Sequence, residues 1–132
     1  MSGPADDWLP LRFRDLDAFG HVYHAEYLTL LDEARTRWFG EVLGSAEPGA
    51  YVVGRLEIDY LSSLVLADLA VRVDFRVERV GTTSLTLGET MHARDGRVVA
   101  RSRSVPVLRD LAAGRSRPLT AQERAVAEAL LP

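Results

Sequence analysis

The sequence predicts an α+β architecture, with one antiparallel sheet wrapped round a long central helix. Three observations carry this reading. A single long helical pattern, about residues 24–43, has a broad aromatic stripe. The middle of the chain is a run of alternating apolar and polar segments separated by turn residues. Only one further, short helical pattern follows it, and that mix of one buried helix with a meander of strands is an α+β signature.

Taken in chain order, residues 1–7 read as a loose tail. The opening "MSGPADDW" is acidic, has no apolar run and does not resemble a secretory signal. In "LPLRFRD", Leu9, Leu11 and Phe13 alternate with Pro10, Arg12 and Arg14, which predicts a half-buried strand. Pro10 lacks an N–H, so that strand belongs at an edge. The helix follows: Tyr27, Leu28, Leu31, Ala34, Trp38, Phe39 and Val42 recur at steps of three and four residues. Gly44 is placed to stop it.

"YVVGRLEIDYL" predicts the next strand. "LAVRVDFRVERV" is the clearest, with Val71, Val73, Phe75 and Val77 set against Arg72, Asp74, Arg76 and Glu78. Gly81 marks a turn, "TSLTLGETMHA" runs back, Asp95-Gly96 turns again, and "VVARSRSVPVL" is the last strand. Thr120 and Glu123 have the spacing of a capping box at the start of the final helix. One position breaks its pattern: Glu89 shares the inward parity of Leu85, Leu87 and Met91.

Composition narrows the function. The 132 residues suit one domain, 1–132, with 47% hydrophobic and 27% charged residues. No cysteine is present, which removes disulfides, thiolate ligands and cysteine nucleophiles, and suits a cytoplasmic setting. All 16 basic residues are arginine, so no lysine is available for a Schiff base. A net charge of −3 argues against nucleic acid as a partner. No run of about 18 apolar residues exists to span a membrane.

The chemistry concentrates in "RDLDAFGHVYHAEYL", Arg14 to Leu28. Asp15 and Asp17 continue the parity of Leu9, Leu11 and Phe13, so both carboxylates are expected on the face where the helix packs. Burying a carboxylate is costly, so donors are expected nearby. Helices are usually capped by Ser, Thr, Asp or Asn, and the candidate cap positions "GHVYHAE" hold none of them. The N–H groups near Tyr23, His24 and Ala25 are therefore candidates to bind an anion or a polarised carbonyl oxygen. Gly20 allows a sharp turn and a close approach. A carboxylate facing such a helix end is a nucleophile or base opposite an oxyanion site.

The run "RFRDLDAFGHVYHAEYLTLLDEAR", Arg12 to Arg35, resembles the opening motif of hotdog-fold acyl-CoA thioesterases of the 4-hydroxybenzoyl-CoA type. Its "GHVYHAEYL" part is most similar to the branch associated with the Tol-Pal system, and "LEIDYLSSL" resembles the family's second-strand signature. The resemblance implies a hotdog fold: a five-stranded antiparallel sheet round a central helix, with a short C-terminal helix. It implies hydrolysis of an acyl-CoA or acyl-carrier-protein thioester, with no cofactor beyond the CoA of the substrate. Asp17 matches the family's catalytic carboxylate, which attacks the thioester carbonyl or activates water. The backbone N–H at His24 matches the group that polarises the carbonyl, and the His24 side chain matches a position thought to assist. Tyr23, Ala25, Tyr27 and Tyr60 fall on the substrate side. A homodimer or homotetramer is implied, with the second subunit completing the pocket from the strand around residues 53–63.

This chain also departs from the family. Phe13 stands where the Tol-Pal type often has tyrosine, Ser62 and Ser63 replace a basic residue and a proline, and "GTTS", Gly81 to Ser84, replaces a basic cluster for the CoA nucleotide. Arg101 and Arg103, two apart on the last strand, are the alternative phosphate partners, with Arg55 third. Two rival readings stay open. One is a non-catalytic hotdog module that binds acyl-CoA or acyl-carrier protein, or that serves assembly. The other is a metal site built from Asp15, Asp17, His21 and His24, whose ligand types suit zinc, iron or manganese but whose spacing matches no standard site.

Overall fold

A computed structural model describes residues 7–45, 47 and 49–132. The expected tail therefore lies, apart from Asp7, outside the described residues. The elements are β1 (Leu9–Pro10), α1 (His24–Glu41), β2 (Tyr51–Tyr60), β3 (Ala70–Val80), β4 (Leu85–Ala93), β5 (Val98–Asp110), β6 (Arg115–Ser116) and α2 (Ala121–Ala129). The sheet is antiparallel in the order β1-β3-β4-β5-β2, and the two-residue β6 pairs with β5. Five strands make the continuous path, as the sequence predicts, and β6 is a small addition to it.

Pro10 sits on edge strand β1, where its missing N–H costs nothing. The strand ends sooner than the alternation predicts. Phe13–Asp15 form a turn of 3₁₀ helix, because Asp15 folds the chain back on itself. Its Oδ2 accepts from the Arg12 N–H at 2.9 Å, and Oδ1 meets the Arg12 guanidinium at 3.2 Å. The parity argument fails at that point. Phe13 is 81% exposed rather than inward, and Asp15 alone of the two aspartates is buried.

α1 lies against the inner face of the sheet and joins two apolar clusters. Tyr27, Leu30 and Leu31 meet Leu9, Val71, Met91 and Val99 in one. Trp38 and Phe39 meet Val77, Leu85, Leu87 and Leu108 in the other, which α2 closes with Ala127. Each fully buried side chain of this size contributes about 1.5–3 kcal/mol. The buried face is rotated from the expected stripe. Leu28 and Val42 are exposed, while Leu30 and Arg35 are buried. Thr120 and Glu123 form the predicted capping box, with Oγ1 accepting from the Glu123 N–H and the Glu123 carboxylate from the Thr120 N–H.

Candidate active site

The turn between β1 and α1 is organised by Asp17. Its Oδ1 accepts from the N–H groups of Phe19 at 2.8 Å and His21 at 3.1 Å. The Asp17 N–H donates to the His21 carbonyl at 2.7 Å, and the Gly20 N–H to the Asp17 carbonyl at 3.2 Å. Aspartate suits this role because its short side chain can bond to backbone a few residues on. The donors the sequence reading expected from the helix start come instead from the turn itself. Oδ2 accepts no hydrogen bond from the described residues, and the carboxylate is half-buried.

Gly20 has φ of +82°, where a side chain would be strained. A Cβ there would meet no atom within 4 Å, so the glycine is required by the turn and not by crowding within this chain. His21 closes the turn through its backbone, and isolated bridges join Leu16 to Val22 and His21 to Val65. These bridges fix the direction in which the chain enters α1.

α1 begins without a side-chain cap. The Tyr23 N–H donates to the Asp15 carbonyl at 2.8 Å, so it is not free as the sequence suggested. Glu26 donates to the Tyr23 carbonyl at 2.8 Å. The N–H groups of His24 and Ala25 have no partner among the described residues. They are two of the unsatisfied donors that any helix start exposes.

Beside them lies an open cleft of about 320 Å³, lined by Val22, His24, Tyr27, Tyr60, Leu61, Ser62 and Ser63. Tyr27, His24 and Tyr60 form an edge-to-face aromatic set, with centroids 5.1 Å apart for Tyr27–Tyr60 and 6.3 Å for His24–Tyr60. The Tyr60 hydroxyl donates to the His24 carbonyl at 3.0 Å, and the Tyr27 hydroxyl to the Ser62 carbonyl at 3.2 Å. Burial raises the Tyr27 hydroxyl above its ordinary pKa, so it stays protonated as a donor.

Other candidates separate from the cleft. Tyr23 and Ala25 do not line it, and the Tyr23 ring packs tilted on His24 with centroids 4.4 Å apart. Arg55, Arg101 and Arg103 lie on the outer face of the sheet. Between Arg55 and Tyr60 on β2, and between Ala100 and Ser104 on β5, strand alternation turns these three side chains away from the face that carries Tyr60 and Ala100. Arg103 donates to Glu78 at 2.7 Å and Arg55 to Glu57 at 2.8 Å, while Arg101 has no ion-pair partner among the described residues. The metal reading loses its geometry, because Asp15 turns to Arg12 and Asp17 to its own turn. Among the described residues no three His, Asp or Glu side chains converge on a metal position.

Sequence reasoning did not single out Val22 or Leu61, and it noted Ser62 and Ser63 only as departures from a motif. A larger cleft, about 750 Å³, lies between Trp38, Phe75, Val77 and Leu130 at the far end of α1, where no helix start opens.

Residues 11–130 match the thioesterase-like superfamily. The chain belongs to that superfamily. Membership places it among thioester hydrolases and accounts for the hotdog arrangement of sheet and helix. A thioesterase from Thermus thermophilus, solved with coenzyme A and zinc, is 34% identical, with a TM-score of 0.80 over 91% of this chain and 94% of that one. A protein from Bacillus stearothermophilus described as a predicted thioesterase is 27% identical, with a TM-score of 0.80 over 95% of this chain and 94% of the other. A gentisyl-coenzyme A thioesterase shares the fold at a TM-score of 0.78 and 21% identity, covering 91% and 97% of the two chains. No curated protein sequence matches this superfamily member. Among its described residues no helix is long and apolar enough to cross a membrane.

Proposed function

We propose that this protein is an acyl-CoA thioesterase of the 4-hydroxybenzoyl-CoA type, in the Tol-Pal-associated branch, that releases a free acid and a thiol. What carries the reading is that two features fall on the one turn leading into α1. One is the Asp17 carboxylate, held by Phe19 and His21 with Oδ2 open. The other is an uncapped helix start whose His24 and Ala25 N–H groups lack partners among the described residues. Asp17 attacks the thioester carbonyl or activates the water that does, and the helix start stabilises the oxyanion. The His24 side chain, at the cleft wall, assists. The substrate acyl group lies along Tyr27 and Tyr60.

The CoA-bound Thermus relative supports coenzyme A over a carrier protein as the thiol. Of the three arginines considered for its phosphates, Arg101 alone keeps an unpaired guanidinium among the described residues, which favours it. The proposed reaction needs no metal or other cofactor, runs in the cytoplasm and belongs to a single domain spanning the chain.

The working unit is a homodimer or a tetramer built from dimers. β2 is the outer strand of the sheet, and Val52, Val53, Tyr60 and Leu61 on or beside it are each at least 40% exposed. An unpaired apolar edge of this length is a template for pairing with a second copy. Such pairing brings the partner's strand to the open side of the cleft.

The test is a panel of short, long and aromatic acyl-CoA thioesters, with thiol release followed by colour. Turnover of at least one, lost in Asp17→Asn, is the expected result. Binding of acyl-CoA with no turnover across the panel would establish the non-catalytic module instead.

A further inference from the structure

Tyr60 was expected to touch substrate, and its hydroxyl points elsewhere. It donates to the carbonyl oxygen of His24 at 3.0 Å. That carbonyl belongs to the same peptide unit as the Ala25 N–H, one of the two donors left without a partner among the described residues at the start of α1. The two ends of a peptide unit are electronically linked. A hydrogen bond accepted at C=O withdraws charge and makes the N–H a stronger donor, which is the cooperativity of hydrogen-bonded chains.

We infer that Tyr60 is a positioning residue for the oxyanion site, polarising the His24–Ala25 peptide so that the Ala25 N–H binds the developing negative charge more strongly. The inference rests on the thioesterase reading of this site. Three features of the structure favour it over a purely structural bond. The His24 carbonyl lies in the first turn of α1, where the helix already supplies it with an acceptor role, so the tyrosine bond is additional. Tyr60 is the last residue of β2 and contacts α1 across 36 positions of sequence, so the bond ties the helix start to the sheet edge. Its ring is held by Tyr27 at 5.1 Å and His24 at 6.3 Å, which limits the directions the hydroxyl can take.

The consequence is a division of labour in the aromatic set. The ring of Tyr60 walls the cleft, and its hydroxyl acts on the reaction through a peptide bond. Because charge appears on the carbonyl oxygen only in the transition state, the effect belongs in kcat and not in substrate binding.

The experiment compares wild type, Tyr60→Phe and Tyr60→Leu on the best acyl-CoA of the panel, alongside the amide spectrum of ¹⁵N-labelled protein. In Tyr60→Phe the ring stays and only the hydroxyl goes. We expect kcat to fall about three- to tenfold with KM within about twofold, since a polarised donor is weakened and not removed. The Ala25 ¹⁵N resonance moves to lower frequency, as it does when the preceding carbonyl loses a hydrogen bond. Tyr60→Leu has the same loss in kcat with a lower melting temperature from the missing ring. An unchanged kcat in Tyr60→Phe, a fall in kcat matched by a rise in KM, or an unmoved Ala25 resonance overturns the inference and leaves the thioesterase reading intact. Absence of thioester turnover in the wild type overturns that reading, and with it the role given to Tyr60.

Discussion

The Arg35 guanidinium grips Glu89 with both arms inside the core, Nε 2.7 Å from Oε2 and Nη2 2.9 Å from Oε1. Ser102 and Ser104 donate to the same carboxylate at 2.7 and 2.8 Å, and Asp32 accepts from Nη1 at 3.2 Å. Burial alone would lower the Arg35 pKa, but the hydrogen bonds and charge of Glu89 raise it on balance. The pair sits between the two apolar clusters. Arg35 follows Leu31 and precedes Trp38 on α1, and Glu89 separates Leu87 from Met91 on β4. It therefore marks the register of helix on sheet, and through that the place of the helix start.

Removing one partner strands the other in the core. Arg35→Met is expected to cost about 3–5 kcal/mol in urea unfolding, the usual penalty for breaking a buried ion pair. Arg35→Met combined with Glu89→Gln should recover part of that loss, because the amide still accepts from a serine and no charge is left alone. A double variant as unstable as the single would refute the account.

Asp17→Asn keeps the oxygen that accepts from Phe19 and His21 and removes the charge. The turn should persist, with a melting temperature close to wild type. Thioester turnover should fall by about 100-fold or more, as expected for loss of a nucleophile or base. Equal rates for the two proteins would remove Asp17 from the mechanism.

Glu123 gives the fold an acid limit. Its pKa is lowered from 4.5 to about 2, first by hydrogen bonds from Arg117, against the opposing effect of burial, and then by Thr120 and Ser45. A carboxylate depressed in the folded state stabilises it above the unfolded pKa. That contribution is lost as pH falls towards the folded value. Unfolding free energy should therefore drop by roughly 2–3 kcal/mol between about pH 4.5 and pH 2. Denaturant midpoints measured across that window should lack this drop in Glu123→Gln, and a parallel drop in both proteins would contradict the assignment.

Val53 lies on the outer strand and is 40% exposed. Val53→Lys puts a charge on the proposed pairing edge. It should shift the protein towards monomer in sedimentation and reduce turnover in step, since the partner's strand would no longer close the cleft. A monomeric variant with full activity would show that one chain suffices.

Dialysis against EDTA should leave turnover unchanged, because Asp15 is turned to Arg12 and, among the described residues, no three His, Asp or Glu side chains converge on one position. Loss of activity restored by zinc would reverse this expectation.

Much of the fold was legible because period-2 alternation in residues 70–80 and 85–93 leaves only one buried face. The exception is instructive. Glu89 broke the inward pattern, and a buried acid demands a cation, which the helix supplies as Arg35. Arg35 was hidden because helix reading by apolar spacing passes over charged residues, and so the stripe was placed on Leu28 and Val42 instead of Leu30 and Arg35. At the site, Gly20 and the missing cap were readable from residue type. The side-chain partners of Asp17, the exposure of Phe13 and the wall at Leu61–Ser63 depend on how the chain turns after Pro10 and after β2, which local pattern does not encode.

The strand order has a consequence for how the cleft comes into being. β3, β4 and β5 are neighbours in both sequence and space, so their meander closes short loops, whereas β2 reaches β5 across the whole meander and β1 reaches β3 across α1 and β2. Loop closure grows more costly with separation, so the meander is the natural place for the sheet to begin. Asp17, the start of α1 and Tyr60 all sit at the late-joining margins. Opening the cleft breaks none of the ladder that joins β3, β4 and β5, so the expected order is for these margins to join after the meander and to open without it.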